Sequence, residues 1–220
     1  MFPQPDLLFP LILTAKTALV AIVCLSILGV ALSYLLATRH NLLTATLDFI
    51  ITLPLVFPPI GTGFILLVLL GRNGLFGKLG LHPHLIFTPL AVYLAAVVAG
   101  LPLVIKPLQS AMQRDLFKLA EASRTLGKNE LQTFVLVIMP SLIRPLSAGL
   151  MLATARSLGE VGITLIIGGN LAGRTNTISL EIYNAVLDAD FHRASILCAI
   201  LGVLSLGIFV LLRKLNHSAY

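Results

Sequence analysis

Five long apolar stretches alternate with short polar breaks along the chain. The first runs from about Ile12 to Ala37 and is interrupted only by Lys16, whose amine lies close enough to one end to snorkel toward the headgroups. The others run from about Leu47 to Leu70, Leu85 to Ile105, Leu131 to Ala155 and Ala194 to Leu212. A helix crosses the hydrocarbon core with about 20 apolar residues, so each stretch is predicted to span a membrane and the chain to be an all-α polytopic protein with about five spans. The first stretch is too long for a signal-peptide core, and Asp6 stands where a basic start is expected, so it reads as a retained helix. Pro54, Pro58 and Pro59 remove backbone donors from the second stretch and must kink or break it. Such a defect is tolerated only where protein or a watery cavity covers it.

The segment from Ser157 to Arg193 has a different pattern. Its apolar core, Val161 to Ile167, is far below spanning length, and Gly159, Gly162, Gly168, Gly169 and Gly173 punctuate it. A re-entrant or external helical piece lining a cavity fits better than a sixth span. The whole chain, 1–220, therefore reads as one transmembrane domain with no internal repeat.

Composition agrees. The 220 residues are 57% hydrophobic and 11% charged, against roughly 25% charged in soluble domains, which excludes a soluble enzyme and a disordered chain alike. A net charge of +6 would suggest nucleic acid in a soluble protein, but here the positive-inside bias explains it and no nucleic-acid partner is expected. Cys24 and Cys198 lie inside apolar stretches with neither metal-ligand nor disulfide-framework spacing, and no cofactor is expected.

The most charged stretch, Lys106 to Glu130, carries Lys106, Arg114, Lys118, Arg124 and Lys128 against Asp115, Glu121 and Glu130. Lys and Arg mark the cytoplasmic side, so this loop, about 106–131, is placed inside, with the Arg39–His40 turn and the Arg213–Lys214 tail. The N-terminus, the Gly71 to His84 loop and the Ser157 to Arg193 segment then fall outside, with Arg72 and Lys78 as exceptions to the bias. Within the loop, Asp115 precedes Leu116, Leu119, Ala120 and Ser123 on one helical face, and Gly127 suits the left-handed residue that ends a helix. Asn129 followed by Gln132 has the form of a capping box that starts the next helix. The loop is predicted to fold as helix, tight turn, helix.

Glu121, Ala122, Ser123, then Gly127, then Val137, Ile138, Met139 and Pro140 resemble the EAA loop of ATP-binding-cassette importer permeases, with Ser123 in place of the second Ala and Met139 in place of Leu. The resemblance implies a MetI-like permease fold whose short helix docks in a groove of a cytoplasmic ATPase subunit, with Glu121, Ala122, Ser123, Gly127 and Pro140 as the coupling residues. The alternative is an ordinary amphipathic helix lying on the membrane surface. A second resemblance is to molybdate permeases of the ModB type. It rests on Ala155-Arg156-Ser157-Leu158-Gly159-Glu160-Val161-Gly162, Gly169-Asn170, Gly173-Arg174-Thr175-Asn176-Thr177-Ile178, the proline-rich Leu53 to Pro59 and Leu70-Gly71-Arg72-Asn73-Gly74. Sulfate permeases share the Arg-Ser/Ala-Leu-Gly-Glu core and tungstate permeases a related version. The compact length favours molybdate over sulfate and does not separate molybdate from tungstate.

An oxyanion path needs neutral donors and at most a sparse positive charge, since a strongly basic site would hold a dianion instead of passing it. Arg156, Ser157, Asn170, Thr175 and Asn176 are candidates for it. Arg156 has a competing role, because Glu160 four residues later would satisfy it in a helical ion pair. Thr62, between Gly61 and Gly63, serves either close helix packing or a hydroxyl on the path. His82 and His84 lack a third ligand in reach, so no metal site is expected, and Asp188, Asp190 and His192 read as a solvated loop or a docking point for a binding protein. Gly77-Lys78 lacks P-loop spacing, so the chain should not bind ATP itself and is not expected to be an enzyme.

Together the resemblances imply a permease in the bacterial inner membrane, homodimeric, with two ATPase subunits and a periplasmic or lipid-tethered oxyanion-binding protein. Tungstate and sulfate remain alternative substrates. A secondary transporter would need coupling-ion carboxylates within spans and usually an internal repeat, whereas Asp48 sits near a span boundary and no other acid falls clearly within a span. A membrane enzyme would need clustered acids or His, and the acids here are scattered among loops.

Overall fold

A computed structural model describes residues 7–72, 74–79, 85–113 and 117–217. His82, His84, Arg114, Asp115 and Leu116 lie outside the described residues. Every regular element among the described residues is helical. Five helices are long and apolar enough to cross a membrane: Leu8–Thr38, Pro59–Lys78, Pro89–Ala111, Glu130–Leu158 and Phe191–Lys214.

The first is α1 (Leu8–Thr38), whose few polar side chains are absorbed locally. Thr14, Thr17 and Ser26 each donate to the carbonyl four residues back, which satisfies these hydroxyl protons within the helix, and Ser33 donates across to the Ile105 carbonyl of the third long helix. After a short turn, Asn41 and Thr44 form a capping box that opens α2 (Leu42–Val56). The expected second span, Leu47 to Leu70, is corrected here to two helices. Pro58 forces Phe57 into an extended conformation (φ −84°, ψ 143°), and Pro59 then sits in the first turn of α3 (Pro59–Leu70), where its missing N–H costs nothing. The 15-residue α2 reaches only about 22 Å, too short to cross alone, and it begins five residues before the apolar stretch does. A four-residue helix, α4 (Leu75–Lys78), follows α3.

The centre of the bundle is α5 (Pro89–Ala111). Gly29 of α1 faces Val104, and Leu25 packs on Gly100, so α1 and α5 run in the same direction. The fourth long helix starts with α7 (Glu130–Thr133), passes through a π-helical turn at Phe134–Ile138 and continues as α8 (Met139–Leu158). It runs against α5: a Cβ on Gly149 would lie 2.9 Å from the Val104 Cα, while Ala153 and Ser157 meet Gly100. Small residues here permit backbone-to-backbone approach, the usual basis of tight helix packing in lipid. Ala21, Leu25, Val104, Leu108, Leu142 and Ala153 form the buried centre of this three-helix contact. Beyond α8 come α9 (Gly162–Gly168), α10 (Ile178–Leu187) and α11 (Phe191–His217), the last packed against α10 and α8.

The segment after Ser157 stays packed within the bundle. Ser157 donates to the Ala96 carbonyl, seven residues inside the Pro89 end of α5 and therefore about 10 Å below it. From there α9 climbs beside α5 toward Phe87, whose N–H bonds the Ile167 carbonyl at 2.8 Å. Ile163 and Ile167 are buried against Ala91, Ala95 and Ala99, and α3 closes the other side through Gly63. The expected short helical piece is found, packed between α3 and α5 and lining the bundle from within.

Candidate coupling helix and translocation site

At one end of the bundle lies α6 (Phe117–Thr125). Its C-terminus is a complete Schellman motif: Lys128 N–H bonds Ser123 O, Gly127 N–H bonds Arg124 O, and Gly127 takes φ +80°. The Asn129–Gln132 capping box follows at 2.8 and 3.2 Å, and Arg124 pairs with Glu130 at 2.9 Å across the turn. Helix, turn and helix are as the sequence predicts. Pro140, in the first turn of α8, directly follows the π turn; having no N–H of its own, it cannot complete a normal ladder there.

The five residues of the coupling motif do not share one face. Glu121 and Ala122 are exposed, with Leu119 (46%) and Leu126 (80%) adding apolar surface on the same side. Ser123 is buried, and its hydroxyl lies 3.1 Å from that of Thr133. Together with buried Ala120, with which it was expected to share a helical face, it fastens α6 to the bundle.

The candidate path residues separate into two groups. Arg156, Ser157 and Glu160 lie together at the end of α8. Arg156 Nη1 donates to Glu160 Oε2 at 2.5 Å, so the expected ion pair forms. The other oxygen, Oε1, accepts from Ile163 N–H at 2.7 Å and thereby ties the end of α8 to the start of α9. The Glu160 side chain is 1% exposed, Arg156 35%. A small cavity beside them is lined by Thr14, Thr17, Ser157, Thr164 and Thr177 with Glu160, a hydroxyl-rich lining drawn from four parts of the chain. Glu160 is thus a buried acid at the end of the fourth long helix, and Asp48 is paired with Lys106 at 2.7 Å.

The second group holds the connection from α9 to α10. Asn170, at φ +48°, donates to Asn184 Oδ1 at 2.7 Å, and its own Oδ1 is buried with no partner among the described residues. Thr175 donates to the Gly168 carbonyl, and Asn176 to Glu181, which also binds Arg193. Thr175 and Asn176 are therefore consumed in shaping the loop. Thr62 is buried and donates to the Pro58 carbonyl at 3.3 Å. Sequence reasoning missed Glu181, Asn184, Arg193 and Thr14. Thr14 accepts from Ile178 N–H across 164 residues, a contact with no local signal.

Residues 29–215 match the family described as the binding-protein-dependent transport system inner membrane component. The chain belongs to this family. It is accordingly a multi-pass permease component of the inner membrane, and the description carries dependence on a binding protein. Among named relatives, the permease is 33% identical over 206 residues to the probable transport system permease protein NifC of Clostridium pasteurianum, covering 92% of this chain and 72% of that one. It is 33% identical over 188 residues to the molybdenum transport system permease protein ModB of Haemophilus influenzae, covering 81% of each. It is also 31% identical over 220 residues to the chloroplastic sulfate permease 2 of Chlamydomonas reinhardtii, covering 98% of this chain and 59% of the relative.

Proposed function

We propose that this chain is the membrane subunit of an ATP-binding-cassette importer for molybdate, acting as a homodimer with two ATPase subunits and an external oxyanion-binding protein. The observation that carries the reading of a path is Arg156. Its guanidinium is a third exposed on the single chain, on a residue about 10 Å below the Pro89 end of α5. A charge at that depth faces a watery cavity or other protein, not lipid. A second copy across this surface places two Arg156–Glu160 pairs around a common path, where each guanidinium attracts an oxyanion while its partner carboxylate keeps the attraction weak enough for release.

The coupling end supplies the drive. Glu121, Ala122, Leu119 and Leu126 offer a mixed apolar and acidic face to a groove on the ATPase, and Ala120 and Ser123 transmit its movement into the bundle through Thr133. The end that bears α6 faces the cytoplasm. Nucleotide binding draws the two α6 helices together and opens the path outward; release after hydrolysis reverses it, so nucleotide and loaded binding protein bias two states of one gate.

Molybdate is favoured over sulfate by the relative named for molybdenum that matches the chain over most of both lengths. The test is uptake of molybdate by the reconstituted assembly in competition with tungstate and sulfate, with the isolated binding protein titrated in parallel. Molybdate and tungstate should compete at similar concentrations and sulfate only at large excess. Equal competition by sulfate would overturn the substrate assignment, and uptake without ATP would overturn the importer.

A further inference from the structure

The turn between α1 and α2 borders an open cavity of about 450 Å³ that the transport reading leaves unused. It lies at the α6 end of the bundle, since α1 runs parallel to α5, and Gln109 from the last turns of α5 forms part of its wall. Arg39, His40, Asn41 and Thr44 line it with Asp48. Both oxygens of Asp48 are held by Lys106, at 2.7 and 2.8 Å, so that carboxylate is already neutralised. The Arg39 guanidinium has no partner among the described residues, and it is the charge left over at the cavity. A guanidinium and neighbouring side-chain amides, here from Asn41 and Gln109, suit the oxygens of a phosphoryl group.

The surroundings favour a lipid over a soluble anion. Here the spanning helix α1 ends at Thr38 and the apolar helix α2 begins at Leu42. Leu42 is 83% and Leu43 80% exposed, directly beside the cationic turn. These leucines have no use for a dissolved phosphate, but they meet acyl chains whose headgroup lies in the cavity. A basic pocket between spans at the membrane boundary is a recognised form of acidic-lipid site, and the volume is of the size that holds a headgroup. We infer that the cavity bounded by Arg39, His40 and Gln109 binds the phosphoryl headgroup of an acidic membrane phospholipid.

The test uses the full chain in detergent micelles, titrated with a phosphatidylglycerol that carries a fluorophore on its acyl chain. Unlabelled phosphatidylglycerol should displace the probe, phosphatidylcholine should do so poorly, and soluble glycerol phosphate hardly at all. Arg39→Gln should weaken probe binding about fivefold, the share of one basic residue in attraction to an acidic membrane. Lys78→Gln, the same charge change at the opposite end, should leave it unaltered. The Arg39 side chain makes no hydrogen bond or ion pair among the described residues, and its backbone bonds to Leu35 and Thr44 survive the substitution, so the variant should fold, which an unchanged thermal midpoint in lipid-free detergent checks. Equal displacement by phosphatidylcholine, or undiminished binding by Arg39→Gln, would overturn the site. Equal displacement by glycerol phosphate would overturn the lipid in favour of a soluble phosphate.

Discussion

The hydroxyls of Ser123 and Thr133 meet 3.1 Å apart in a buried contact between α6 and the base of the fourth long helix. This explains why a serine is accommodated where the resembling family has alanine: the added oxygen is bonded. Ser123→Ala should cost about 1 kcal/mol of stability, the worth of one neutral hydrogen bond, and leave uptake within about twofold. Ser123→Leu, which overfills the contact, should abolish uptake while the chain remains in the membrane. Uptake assays with membrane quantification check both, and full activity in Ser123→Leu would remove the anchoring role.

Gly127 takes φ +80° with open space around its Cα, so the constraint there is backbone conformation and not crowding. Gly127→Ala and Gly127→Val should both disturb the turn, and valine the more, since a β-branched residue in the left-handed region costs about 1–3 kcal/mol. Co-purification of the ATPase with the valine variant should fall at least tenfold at unchanged membrane level. Retention of the ATPase by that variant would show that the turn does not set the docking geometry.

For Arg156 and Glu160 a double variant separates pairing from passage. Glu160→Gln leaves a cation at membrane depth and weakens the tie to α9, and should cost about 3 kcal/mol, the low end for a broken buried pair because Arg156 is partly exposed. Arg156→Gln with Glu160→Gln should regain most of the stability without regaining uptake, because no guanidinium is left for the oxyanion. Recovery of uptake in the double variant, measured beside its thermal midpoint, would reduce the pair to a structural one.

Gly149 stands where α8 and α5 touch backbone to backbone, with a new Cβ 2.9 Å from the Val104 Cα and 3.0 Å from the Leu103 carbonyl. Gly149→Val should therefore force the two helices apart and lower the yield of folded chain severalfold, while Gly207→Val, with nothing nearby, should be tolerated. Monodispersity in size-exclusion chromatography distinguishes the two.

Much of the fold was readable before any coordinates because the governing physics is local. Twenty apolar residues in a row belong in lipid whatever surrounds them. Pro58 restricts Phe57 through a clash between adjacent residues, so the break in the second apolar stretch follows from the chain alone. Gly127 and the Asn129–Gln132 box act within one turn, and the Arg156–Glu160 pair within four residues, so each was recoverable from spacing. That Ser123 and Ala120 share a face was legible in the same way, but not that this face is the buried one. Helical periodicity tells which residues share a face but not which face the bundle takes.

Depth and partnership were settled by packing. Nothing near Ser157 in sequence announces that its hydroxyl will meet the Ala96 carbonyl, which is what sets the end of α8 seven residues inside α5. The Ile178 amide finds Thr14, and the Arg39 turn finds Gln109, only after α1 and α5 lie side by side. Composition and local backbone rules therefore made this chain a membrane-spanning helical protein with a defined turn at its coupling loop. Which of its few polar groups face one another at depth depends on contacts between residues far apart in the chain, and those exist only once the helices are assembled.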